Sequence, residues 1–191
     1  MKMWKNAIIL TLITVIAGAA LGLVYEVTKE PIANAQDKAK RDAWVAVFPD
    51  AKVDEFQEEK VDEKAADSAI SDTGANAIVD EVCTVGDKGY VVTVTDKNGY
   101  GGDIKITVGL TKEGEVSGIS FLSISETAGL GMKAKEPKFY EQFVGKTTAK
   151  FAVKKDGGDG EPIEALSGAT ITSRAVTEAV NVAIAYCGNA F

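Results

Sequence analysis

"KGYVVTVTDKNGYGGDIKITVGLTKEGEVSGISFLSIS", residues 88–125, changes period relative to everything before it. "KGYVVTVTD" alternates apolar and polar side chains, "DIKITVGL" does so again, and "EVSGISFLSIS" follows less cleanly. A period of two is the mark of a strand with an inner and an outer face. Between the first pair lies "KNGYGG", where Asn98-Gly99 is a strong reversal signal, and between the second lies "TKEGE" with Gly114 placed for a short turn. Residues 77–125 therefore predict a three- or four-stranded antiparallel meander.

Reading outward toward the C-terminus, "EPKFYEQFVG" (136–145) predicts a short helix starting near Pro137, since Phe139, Tyr140 and Phe143 share a face. "KFAVKKDGGDGEPIEAL" (150–166) reads as a strand, a Gly/Asp loop and a return strand. A final helix is expected from Thr172 or Ser173, with Ala175, Val176, Ala179, Val180, Ala183 and Ile184 as its buried stripe. Upstream, residues 54–77, "DEFQEEKVDEKAADSAISDTGANA", are acidic and poor in aromatics, which predicts a solvated connector. Before that, Ile32, Ala35, Ala39, Ala43 and Val47 recur at steps of three or four, predicting an amphipathic helix from Pro31 to Phe48 that stops at Pro49.

The N-terminus sets the compartment. From Asn6 to Tyr25 the chain runs "NAIILTLITVIAGAALGLVY" without a charge, enough helix to cross a hydrocarbon core of roughly 30 Å. A signal peptide's apolar region is shorter, about 7–15 residues. Lys2 and Lys5 precede the run, while Glu26, Lys29 and Glu30 follow with no positive excess, so the positive-inside rule predicts a cytoplasmic N-terminus and an extracytoplasmic main domain. Gly18 and Gly22 form a G-x-x-x-G, a face on which another membrane helix can approach closely. The expected class is α+β behind a single transmembrane anchor. It divides into residues 1–28 (cytoplasmic stub and anchor), 29–75 (membrane-proximal helix and connector) and 76–191 (main domain).

Composition narrows the chemistry. A formal charge of −7 argues against nucleic acid, which needs clustered Lys and Arg. With no histidine, the chain lacks the usual general base and the usual zinc ligand, and no metal site or catalytic residue is expected. Cys83 and Cys187 could meet as a disulfide outside the membrane or stay as buried thiols.

Two short segments could hold a ligand. "LSGATITSR" (166–174) gathers hydroxyls, small residues and Arg174 where a helix should start, which suits a phosphate or, more blandly, an N-cap. "SETAGLGMK" (125–133) is a glycine-bent loop with one carboxylate and an apolar Leu130, a wall for a planar heterocycle or an ordinary surface loop. There is no G-x-x-x-x-G-K pattern for nucleotide hydrolysis.

Together these segments resemble the FMN-binding domain found in the G component of the Rnf electron-transport complex, and in its relative, the C component of the sodium-pumping NADH:quinone reductase. Those proteins pair a loop E-T-P-G-L-G with a later S(T)-G-A-T. Here the loop is Glu126-Thr127-Ala128-Gly129-Leu130-Gly131, with Ala128 in place of proline, and the later motif is Ser167-Gly168-Ala169-Thr170. The resemblance implies FMN joined by a phosphoester to Thr170. It places Ser167, Gly168, Ala169 and Thr172 on the phosphate and ribityl side, and Glu126, Thr127, Gly129 and Leu130 near the isoalloxazine. It further implies a flavin transferase for maturation, recognising a motif in which Glu164 stands where an Asp is usual. The implied protein is no enzyme alone but the electron-carrying part of an ion-translocating ferredoxin:NAD oxidoreductase, beside other membrane subunits of the Rnf complex. Compactness favours the Rnf component over its quinone-reductase relative. A flavin-free extracytoplasmic scaffold is the competing reading.

Overall fold

A computed structural model describes residues 2–191, with Lys2 by its backbone only, so Met1 lies outside the described residues. Helix α1 spans Lys2–Val47. It is the one helix among the described residues that is long and apolar enough to cross a membrane, with a mean hydropathy of 2.6 in its most apolar window. Added side chains at Gly18 and Gly22 would meet nothing within 4 Å. Pro31, expected to open a new helix, lies inside α1 instead. The chain falls into two compact units, Met1–Lys40 and Arg41–Phe191.

In the second unit, five strands form an antiparallel sheet in chain order: β1 (Phe56–Glu59), β2 (Ala77–Val85), β3 (Gly89–Asp96), β4 (Ile104–Thr111) and β5 (Val116–Ser123). Residues 77–125 thus hold four strands, within the three or four the sequence predicts, and the sheet gains a fifth from upstream. The extra strand comes from the acidic stretch expected to be a solvated connector, which also forms helix α2 (Glu63–Thr73). Local chemistry explains why. The Asp62 carboxylate accepts N–H bonds from Lys64 (2.9 Å) and Ala65 (3.2 Å), capping the helix start, and Gly74 at φ 67° closes its end. Ala65, Ala66 and Ala69 form a buried stripe whose small side chains leave little hydropathy signal among the charges.

Helix α4 (Thr170–Ala190) packs across β2, β3, β4 and β6 (Phe151–Val153) and against α2. Ala175, Val176, Ala179, Val180 and Ala183 are fully buried there, while Ile184 is only partly covered. The main core joins them to Val82, Val92, Val94, Ile106 and Val108 of the sheet. The opposite face carries a second cluster, in which Trp44, Val47 and Phe48 meet Cys83, Val85 and Val91. Contact there is close because Gly109 and Gly118, partners across β4 and β5, have no side chain: a Cβ on Gly118 would lie 2.9 Å from the Val47 Cα. Ser117 Oγ donates to the Val47 carbonyl at 2.7 Å, satisfying one of the free carbonyls at the end of α1.

After β5, a one-turn helix α3 (Pro137–Tyr140) starts at the proline as expected. Strands β6 and β7 (Glu161–Ile163) then pair in parallel, not as the returning hairpin the sequence suggests, because residues 154–160 carry the chain back before it pairs. Asn181 of α4, 5% exposed, holds β6 in place: its Oδ1 accepts from Phe151 N at 2.8 Å and its Nδ2 donates to Phe151 O at 2.9 Å. Cys83 and Cys187 form no disulfide among the described residues, and burial pushes the Cys187 thiol up to about 12.

Buried polar groups make stability testable at two positions. Asn181→Leu strands a backbone N–H and a carbonyl, at about 1–3 kcal/mol each, so thermal unfolding of the variant should show a clearly lower midpoint. Asp96 ends β3 fully buried; its Oδ1 accepts from Asn98 N at 2.8 Å and its Oδ2 has no hydrogen-bond partner. Burial raises its pKa from 3.8 to about 7, with the Asn98 N–H pulling it down and neighbouring Glu178 and Asp103 pushing it further up. The folded chain therefore keeps a proton that the unfolded chain releases, so this contribution is complete below pH 3.8 and lost as pH rises through about 7. Melting curves across that window should show the midpoint falling with pH, and Asp96→Asn should flatten the slope.

Candidate functional site

Four segments converge on one cavity of about 540 Å³: the 97–103 turn after β3, the 124–135 loop after β5, the 154–160 connection between β6 and β7, and the start of α4. Its walls are Tyr100, Glu126, Thr127, Leu130, Gly131, Lys155 and the run from Gly168 to Thr172. This volume lies within the usual range for cofactor sites, about 300–1,000 Å³.

The first turn of α4 is built by the S-G-A-T stretch. The helix starts at Thr170, two residues before the expected Thr172, and no side chain caps it. Neither Thr172 nor Ser173 serves as N-cap. Ser173 Oγ instead donates to the Ala169 carbonyl (2.9 Å) and accepts the Leu166 N–H (2.9 Å), locking the chain on its way in. Gly168 adopts φ 75°, a left-handed conformation that side-chain-bearing residues rarely tolerate. The half-buried Thr170 is thereby the first helical residue and lines the cavity, beside backbone N–H groups that carry the positive end of the helix dipole.

The facing loop is pinned through Glu126, which is 8% exposed and whose Oε1 accepts the Gly101 N–H at 3.2 Å. Gly131 sets the spacing between loop and helix. A Cβ at that position would sit 2.6 Å from Thr172 Oγ1 and 2.7 Å from Glu126 Oε2. Leu130, 43% exposed, bridges the two motifs, since its Cδ2 would be 3.2 Å from a Cβ on Gly168.

Of the nine residues singled out in the sequence, Glu126, Thr127, Leu130, Gly168, Ala169, Thr170 and Thr172 line this cavity. Gly129 does not; at φ 75° it bends the loop, with the Thr127 carbonyl accepting from Leu130 N (3.1 Å) and Met132 N (3.2 Å). Ser167 is exposed and lines a neighbouring cavity of about 360 Å³ with Lys154, Lys155 and Glu164. Arg174, expected to help a phosphate, is engaged elsewhere: its guanidinium donates to both carboxylate oxygens of Asp156, and it lines a different cavity. The cation at the site is Lys155. Tyr100, Gly131, Lys155 and Ile171 are lining residues that sequence reading passed over. Tyr100 sits within "NGYGG", read only as a turn, although an aromatic side chain among glycines was the available signal.

The donor set fits a flavin mononucleotide. An uncapped helix start and Lys155 suit the phosphate, Thr170 and Thr172 offer hydroxyls, and Tyr100, Leu130 and Ile171 provide apolar surface.

Comparison with known proteins agrees. Residues 99–185 match the FMN-binding domain and residues 1–47 the RnfG N-terminal region. The G component of the proton-translocating ferredoxin:NAD(+) oxidoreductase complex of Clostridium ljungdahlii is 35% identical over 92% of this chain and 86% of its own length. Its counterpart in the Na(+)-translocating ferredoxin:NAD(+) oxidoreductase complex of Acetobacterium woodii is 33% identical over 95% of this chain and 89% of its own. The crystal structure of Shewanella oneidensis NqrC aligns at 26% identity and a TM-score of 0.44, covering 53% of each chain. With its two sequence regions and the length of these matches, the chain belongs to the RnfG family, the G components of ion-translocating ferredoxin:NAD(+) oxidoreductase complexes.

Proposed function

We propose that this chain is the membrane-anchored electron carrier of such a complex and holds FMN through a phosphoester to Thr170. The observation that carries this reading is the position of Thr170, the first residue of an uncapped helix and part of the wall of a 540 Å³ cavity. A phosphate attached there meets helix N–H groups and the dipole, worth about 0.3–1 kcal/mol and up to ~2 kcal/mol where partly buried, with Lys155 as the nearby cation. The flavin supplies reversible electron transfer when bound. The chain's own residues tether, orient and partly shield it. Thr172 and the Gly168-Ala169 backbone take the phosphate and ribityl side, with Ser167 on the approach. Glu126, Thr127 and Leu130 face the ring side, and Gly129 shapes their loop.

A flavin transferase carries out maturation; the chain itself has no histidine to serve as base for the Thr170 hydroxyl. In a flavin transferase using FAD and a divalent metal, Thr170 Oγ1 attacks the flavin-side phosphorus, the pyrophosphate bond breaks, and AMP leaves with the hydroxyl proton released. The segment leading to Thr170 is accessible for that reaction. Glu164 pairs with Lys154 on the surface, and Gln142 holds the Glu164 backbone by accepting its N–H (2.7 Å) and donating to its carbonyl (3.3 Å). The N-terminus is cytoplasmic and the domain extracytoplasmic, from Lys2 and Lys5 before the apolar run. Other membrane subunits pack on the anchor, with the Gly18/Gly22 face available to them.

The test is intact mass and peptide mapping across residues 161–174 of the full chain, extracted from a host that has flavin transferase. An increment of FMN minus water on Thr170, lost completely in Thr170→Ala, is expected; an unmodified Thr170 makes the chain a scaffold. Gly131→Ala should lower the flavinylated fraction severalfold, measured by the same mass ratio, because the new methyl collides with Thr172 and Glu126 and parts the two motif loops.

A further inference from the structure

The turn at residues 97–103 forms part of the cavity wall, and three carboxylates from three elements hold it there. Asp96 Oδ1 at the end of β3 accepts from Asn98 N at 2.8 Å, and Glu178 Oε2 of α4 accepts from Asn98 Nδ2 at 3.0 Å. Glu126 Oε1 of the facing loop accepts from Gly101 N at 3.2 Å. Asp103, exposed at the far end of the turn, adds a fourth negative charge. Among the described residues, none of these four carboxylates is in an ion pair. Arg174, one turn before Glu178 on α4, attracts it from a distance but is bound to both carboxylate oxygens of Asp156.

Asp96 is the member least able to stay charged. It closes β3 between Ala77 of β2 and Ile104 of β4, is fully buried, and leaves its Oδ2 without a hydrogen-bond partner. The Glu178 carboxylate lies within hydrogen-bonding reach of it. Two ionised carboxylates offer each other only acceptors, and their repulsion is stronger out of water than at the surface. One proton reverses the sign. A carboxyl O–H on either partner donates to the other, Asp96 Oδ2 gains the bond it lacks, and one negative charge leaves the pair. Burial first, then Glu178 and Asp103, raise the Asp96 pKa to about 7 against the pull of the Asn98 N–H. The proton is therefore exchanged at ordinary solution pH.

We propose that Asp96 and Glu178 share one proton, and that this proton latches the 97–103 turn to α4 and so keeps that part of the cavity wall in place. Neither residue lines the cavity, and the latch is independent of the flavin reading. When the proton leaves, the two carboxylates repel across Asn98, the residue bonded to both. Gly99, Gly101 and Gly102, the last at φ 122°, give the released turn its freedom to move. The closed turn keeps the proton up to about pH 7, whereas an open turn with Asp96 in water releases it at the ordinary value of 3.8. Closure is thus strongest below that ordinary value and weakens as pH rises to about 7.

The experiment is amide hydrogen exchange, read by mass spectrometry on the detergent-extracted full chain from about pH 5 to about pH 8, each rate divided by that of an unstructured chain at the same pH. Peptides covering residues 97–103 report the latch, and peptides covering 175–185 of α4 report opening of the whole domain. Protection of the turn should fall by up to about tenfold per pH unit until about pH 7 and then level off. The turn should exchange faster than α4 throughout. Asp96→Asn and Glu178→Gln each place an amide donor where the proton sits, so in both variants the protection of the turn should stay constant across the range. A parent turn whose protection ignores pH overturns the proposal. So does a Glu178→Gln turn that keeps the parent's pH dependence, which leaves Asp96 titrating alone. Equal protection of the turn and α4 at every pH also overturns it, since the turn then opens only with the whole domain. The measurement needs no flavin, so its outcome stands whether or not Thr170 is modified.

Discussion

Everything at the site depends on how closely helix α4 lies on the sheet. Its buried stripe is Ala175, Val176, Ala179, Val180 and Ala183, side chains small enough for the helix axis to approach the strands and still fill the space between them. Burial of this kind fixes the helix along its length, and Asn181 adds two hydrogen bonds to β6 that fix its position lengthwise. The first turn then has no freedom left. Ser173 ties it to the incoming chain, and Thr170 is delivered to the cavity wall by a rigid 21-residue element rather than by a loop. Gly131 completes the arrangement, because the facing loop can reach Thr172 only where no side chain stands between them.

The electrostatics of the cavity run against those of the whole molecule. The chain carries a net charge of −7, yet its two charged lining residues are one anion and one cation, and the helix N-terminus adds a positive partial charge. Glu126 is occupied by the Gly101 N–H, so its charge is spent on holding the turn in place. Lys155 and the helix start are left to favour an anion. In the proposed reading they offset the repulsion that an acidic protein would otherwise exert on a phosphate.

Much of this was legible in the residues, and the gaps have physical reasons. Alternation located β3, β4 and β5, and the paired glycine-rich motifs located both walls of the cavity. The acidic stretch hid β1 and α2 because the buried residues of α2 are alanines, weak in any hydropathy pattern, while Asp62 and Gly74, the capping residues, were the readable trace. Pro31 reads as a helix start in sequence, but a proline in the middle of α1 leaves the helix continuous. Arg174 lies close to the S-G-A-T motif in sequence. Helical geometry turns it away from the cavity to meet Asp156, while Lys155, distant in sequence, arrives through the β6–β7 connection. The turn at Asn98-Gly99 was recognised as a turn, but nothing local tells that Glu126 anchors it beside the second motif.

In the proposed reading, an open cavity and a covalent bond answer the same need. Tyr100, Leu130 and Ile171 are substantially exposed, so the site encloses a ligand poorly and apolar burial alone gives it limited affinity. A carrier that must exchange electrons with other proteins gains from an exposed cofactor edge, yet a weakly enclosed cofactor outside the membrane is lost by dilution. In the proposed reading, attachment at Thr170 separates the two requirements. Retention comes from one bond at the helix start, and the cavity is released from having to enclose what it holds. A single tether keeps the cofactor on the protein but does not orient its ring. In that reading orientation comes from the lining surfaces that stay open, Leu130 and Ile171 among them.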